Sequence, residues 1–106
     1  MGDFNAPEYS PAITALTRES GFVDTFRVAN PTSPGSTVWQ WVYGPRPTAF
    51  RRVDYLFLLP GADFPGKVLS SRVVLNAPRH FHDGQVLWPS DHYGVLTEVE
   101  VFPPSD

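Results

Sequence analysis

Residues 53–59, Val-Asp-Tyr-Leu-Phe-Leu-Leu, are apolar or aromatic at every position except Asp54, and Pro60-Gly61 closes the run. That pattern predicts a strand covered on both faces. A strand of this kind constrains the rest of the chain, which must supply layers on two sides. It also constrains Asp54, because a carboxylate at the entrance to an apolar strand is costly to bury without a partner.

The chain has 106 residues, enough for one small domain, and a hydrophobic fraction of 42% is ample for a core. A net charge of −3 provides no strong global field toward nucleic acid or an anionic membrane. The absence of cysteine removes disulfides, thiolate zinc sites and cysteine nucleophiles. No apolar run approaches the ~18 residues of a membrane span. Localisation is not legible.

Ser10-Pro11 is a helix start, with a serine N-cap and proline at the first helical position. Ala12, Ile13, Ala15 and Leu16 give the helix an apolar stripe, and Gly21 is its stop. Phe22, Val23 and Phe26 are expected to pack beneath it. Residues 37–43 alternate, with Trp39, Trp41 and Tyr43 on one side, and predict a strand or hairpin arm. Residues 68–76 are a further strand candidate, and 77–89 read as a loop. In 93–102, Val95, Val99 and Val101 share one face and Glu98 and Glu100 the other. The expected class is α+β or α/β, with one helix and about four mainly antiparallel strands. A lone sheet with one helix would leave much of the sheet bare.

Three groups of residues carry chemistry. His92, in Ser90-Asp91-His92 before a strand, can accept a proton from water near neutral pH or contact a phosphate. Sequence neighbours on a strand face opposite sides, so a separate carboxylate must orient the imidazole. Asp54 is the candidate, and a His92–Asp54 hydrogen bond satisfies both groups. Asp3 and Asn5 stand two apart in an extended loop and point the same way. A carboxylate there can align water or hold metal, and an amide can steady phosphoryl oxygens. Alone, Asp-x-Asn is equally an Asx-turn. His80 and His82 are expected to be solvated, Arg51 likewise, and Arg52 to pair with a carboxylate.

The order Gly2-Asp3-Phe4-Asn5, then Thr37-Val38-Trp39, then Arg52-Val53-Asp54-Tyr55, then Ser90-Asp91-His92 resembles the C-terminal half of the endonuclease/exonuclease/phosphatase family. The resemblance covers nearly the whole chain. It implies that residues 1–106 form part of a four-layered α/β sandwich, two packed sheets with helices outside. It implies a metal-dependent phosphoester hydrolase, acting on a phosphodiester or phosphomonoester. Asp3, Asn5, Asp54 and His92 would be catalytic, Asp91 and Asp3 would bind metal, and Trp39 and Asn5 would contact substrate. Oxygen ligands without cysteine favour Mg²⁺ or Mn²⁺. The family's metal-anchoring glutamate belongs to its first half, and Glu8, Glu19, Glu98 and Glu100 offer no substitute. Two alternatives follow: an inactive truncated fragment, or a half-domain that binds a complementary partner chain or self-associates. A third reading is a small aromatic-rich binding module.

Overall fold

In a computed structural model, the described residues are 1–38, 51–61 and 66–101. They form an α+β fold with two short helices and antiparallel strands paired two by two. The expected strand over 37–43 lies mostly outside the described residues, as do Trp39 and Trp41; within them, Val38 bridges antiparallel to both Arg51 and His92.

The first helix begins as its sequence dictates. Ser10 Oγ accepts from the Ile13 amide at 3.4 Å, Pro11 occupies the first turn, and α1 spans Pro11–Thr14. The helix then widens into a π turn over Ala15–Glu19, and Gly21 leaves it with φ of +75°. Ile13 is its buried anchor. There is a second helix, α2 (Thr25–Ala29), beyond the one expected. It is too short to show a period in sequence, and its signal is the cap Asp24, whose Oδ1 accepts from the Arg27 amide.

The apolar run is not one continuous strand. It splits into β3 (Asp54–Tyr55) and β4 (Phe57–Leu58), which pair with different partners, β1 (Gly2–Asp3) and β2 (Val23–Asp24). The switch falls at Leu56, whose carbonyl accepts from both the amide and the hydroxyl of Thr25. Nor is burial uniform along it: Val53 and Tyr55 are buried, but Leu59 is 56% exposed.

The longest pairing joins β5 (Lys67–Val74) to β8 (Gly94–Glu100), with Val73 opposite Val95 and Ser71 opposite Thr97. A bulge between Val68 and Ser70 shifts the alternation by one residue. That shift puts Val68, Ser71 and Val73 on the inner side and leaves Leu69 exposed. On β8, Glu98 and Glu100 face outward as their spacing predicts, though Val101 beyond its end is also exposed. The inner face carries a hydrogen-bonded hydroxyl chain. Thr25 donates to the Leu56 carbonyl, so Thr97 donates to Thr25 at 2.9 Å and Ser71 to Thr97 at 2.8 Å. The region 77–89 is a small hairpin rather than plain loop, β6 (Arg79–His80) against β7 (Val86–Leu87), with His80 and His82 solvated. Trp88 and Tyr93 pack beside it with Val73 and Val86.

A buried ion pair ties the helical side to the strands. Arg52 Nη1 donates to Asp24 Oδ2 at 2.7 Å and Nη2 to Asp24 Oδ1, while Glu8 Oε1 lies 3.2 Å from Nη1. Glu8 also holds Arg27 through two bonds, at 2.8 and 2.7 Å. The Arg27 hydrogen bond is the main reason that the Glu8 carboxyl lies below its ordinary 4.5, against the opposing effect of burial. The Arg52 guanidinium stacks over Tyr55 and Phe26. Burial, opposed by the nearby Arg52 charge, pushes the Tyr55 hydroxyl up to about 12. That hydroxyl stays protonated and donates to the Ala6 and Arg52 carbonyls.

Candidate active site

The β1–β3 register sets Asp3 directly opposite Asp54. Directly paired residues of an antiparallel ladder project to the same face, so the two carboxylates are neighbours. His92 enters from the segment before β8. Its Nδ1 lies 2.8 Å from Asp54 Oδ2, and its Nε2 lies 3.8 Å from Asp3 Oδ2. One ligand atom from each of Asp3, Asp54 and His92 falls within 4.8 Å of the others. The site is graded in exposure: the Asp54 side chain is 18% exposed, His92 30% and Asp3 50%. The more shielded carboxylate therefore lies behind the ring and the more open one in front of it.

An ionised Asp54 only accepts, so Nδ1 carries the hydrogen and a neutral ring presents a lone pair at Nε2. Burial works against the charged ring, but the Asp54 hydrogen bond and the charges of Asp54, Asp3 and Asp91 outweigh it. The net effect raises His92 above its ordinary 6.5.

Asp3 Oδ1 accepts from the Asn5 amide at 2.7 Å. This is the Asx-turn, and Asn5 takes a left-handed φ of +48° within it. The turn and the site coexist, because the other Asp3 oxygen is the one facing His92. Asn5 Oδ1 in turn lies 3.4 Å from Arg51 Nη2. Guanidinium only donates, so this contact pairs with the amide oxygen turned toward Arg51 and the NH₂ away from it. Arg51 is exposed, as expected, and its contact with Asn5 across the chain is not visible from spacing. Arg52 takes no part in the site, being held by Asp24 and Glu8.

Asp91 does not join the three-residue group among the described residues. Ser90 Oγ accepts from the His92 amide at 3.0 Å and lies 3.4 Å from Asp91 Oδ1. That turn directs His92 inward and leaves Asp91 exposed, acting on the imidazole through its charge. No described glutamate joins the group either: Glu8 is paired with arginines, and Glu19, Glu98 and Glu100 are exposed. Trp39 lies outside the described residues.

The donor set fits a divalent cation in part. Two carboxylates suit Mg²⁺, and an imidazole nitrogen within reach suits Mn²⁺ better. With Nδ1 engaged by Asp54 and Asp3 Oδ1 by Asn5, Asp3 Oδ2 is the most open donor. No family model, curated protein or solved structure matches this chain.

Proposed function

We propose that this chain is the C-terminal half of a metal-dependent phosphoester hydrolase resembling the endonuclease/exonuclease/phosphatase family. The observation that carries the reading is the convergence of Asp3, Asp54 and His92, from three separated segments, into one group of ligand atoms. Two carboxylates opposite each other in a ladder repel and weaken it. A cation or a proton-accepting ring between them gives the arrangement a use.

In this reading water attacks phosphorus in line. Neutral His92 takes the water's proton at Nε2, Asp54 holds the ring through Nδ1–H, and the bond from phosphorus to the leaving oxygen breaks. The Asn5 NH₂, turned outward by Arg51, donates to a phosphoryl oxygen, and Arg51 adds positive charge at the rim. Asp3 aligns the water or would hold Mg²⁺ or Mn²⁺, and Asp91 would help to bind that cation. The bound cation would supply Lewis-acid stabilisation of the phosphoryl charge. Trp39 is the candidate substrate contact.

The four-layered sandwich belongs to the same proposal. Support for a missing layer comes from the β5–β8 pair, which exposes Leu69 and Leu96, with Val101 just beyond it. The same exposure favours the second reading, a half-domain completed by a partner chain or by self-association. Among the described residues no helix is long and apolar enough to cross a membrane. The test is hydrolysis of a chromogenic phosphodiester after chelation and after addition of Mg²⁺ or Mn²⁺. Slow turnover restored by the metal is expected; turnover indifferent to chelation contradicts the reading.

A further inference from the structure

Thr37 is fully buried, and its polar atoms reach both segments that build the site. Its Oγ accepts from the amides of Val53 and Asp54, each at 3.2 Å. Its own amide donates to the Arg51 carbonyl at 2.8 Å, and its carbonyl accepts from the Tyr93 amide at 2.6 Å. The next residue, Val38, bridges Arg51 on one side and His92 on the other.

The double bond to one hydroxyl is informative. Successive amides of a regular strand point in opposite directions. For Val53 and Asp54 to share one acceptor, the chain must bend between them, immediately before β3 begins at Asp54. The bend is therefore stabilised from outside the ladder, by Thr37. The Thr37 carbonyl meanwhile holds the residue after His92. One side chain and its own peptide groups thus set the spacing between the backbone that carries Asp54 and the backbone that carries His92.

We propose that Thr37 is the positioning residue of the His92–Asp54 pair. Its hydroxyl aims Asp54, and its carbonyl anchors the strand start behind His92. This rests on the proposed function only in taking that pair as the proton-accepting unit. Valine keeps the shape of threonine without the acceptor, and serine keeps the acceptor. The two variants therefore separate positioning from packing.

The experiment is nitrogen-15 NMR of the chain, reading the His92 Nδ1–H resonance and the exchange of single amides. The unaltered chain and Thr37→Ser are expected to show a hydrogen-bonded imidazole N–H. In Thr37→Val that signal is lost to solvent exchange, and the Asp54 amide exchanges faster by roughly tenfold or more, as loss of a buried hydrogen bond implies. A folded Thr37→Val chain that keeps the imidazole signal overturns the proposal. Should that variant not fold, the unaltered chain decides. The Val53, Asp54 and Tyr93 amides then open with one common free energy, and independent opening of Tyr93 overturns the proposal. None of these readouts requires turnover. Absent hydrolysis with these signals intact removes the proposed function and leaves Thr37 in place.

Discussion

Asp3 and Asp54 are direct cross-strand partners, and His92 sits with one ring nitrogen toward each. The arrangement is asymmetric. Asp54 is close enough to accept the Nδ1 hydrogen, and Asp3 is near enough to act only through charge, water or metal. In the proposed hydrolase that difference would give Asp54 the orienting role and place Asp3 on the substrate side.

The first prediction concerns orientation. Asp54→Asn keeps the size of the side chain and removes its charge. Turnover of a phosphodiester falls by up to ~10⁴-fold, as when the orienting carboxylate of a hydrolytic triad becomes an amide. Working as a base requires neutral His92, so unaltered activity climbs with pH through an apparent value above 6.5. In Asp54→Asn that inflection moves down. A pH–rate profile that keeps its inflection in the variant contradicts the assignment.

The second prediction is of stability. His92 is raised above 6.5 in the folded chain, so the folded state binds its proton more tightly than the unfolded state. The stabilisation is fully present below the unfolded value and is lost as pH rises through the folded one. The gap in Tm between the unaltered chain and His92→Gln should shrink across that window. A gap independent of pH shows that the ring gains nothing from its carboxylates.

The third prediction concerns the frame behind the site. Arg52 and Asp24 form a buried pair, and removing one partner strands the other charge. Arg52→Ala should cost about 3–5 kcal/mol in denaturant unfolding, the range for breaking a buried ion pair. A loss near that of an exposed pair, ~0–1 kcal/mol, shows that the pair is not buried in solution.

The fourth prediction is steric. Gly35 has a φ of +63°, and a β-carbon there would lie 2.2 Å from the Phe26 ring. Phe26 is buried in α2, so its ring has little room to move aside. Gly35→Ala should destabilise by at least the ~1–3 kcal/mol typical of overpacking. Unchanged thermal unfolding contradicts the close approach.

The part of this architecture readable in sequence is the part fixed by local chemistry. Ser10-Pro11 starts a helix and Gly21 leaves it because capping and φ are local properties. The alternation of Val95, Glu98, Val99 and Glu100 holds because β8 keeps a regular period. The pairing of Asp54 with a histidine follows from the cost of a shielded carboxylate, and His92 is the ring that meets it. What escaped depends on pairings that spacing does not show. The apolar run divides at Leu56 because Thr25 captures its carbonyl. The bulge near Leu69 arises only when β5 meets β8. Asp91 faces outward because Ser90 Oγ ties up the His92 amide, a turn that spacing does not reveal. Arg51 reaches Asn5 across the chain, and Thr37 joins two segments through a hydroxyl that reads in sequence as one more β-compatible residue.

The central claim is that Asp3, Asp54 and His92 form a phosphoester-cleaving centre. The most direct measurement is turnover of bis(p-nitrophenyl) phosphate in Mn²⁺, comparing the unaltered chain with His92→Ala at matched folding by circular dichroism. Slow turnover that falls by ~10²–10⁴-fold in the variant, the usual contribution of a general base, is the predicted result. Equal turnover in both chains, or none in either, contradicts it.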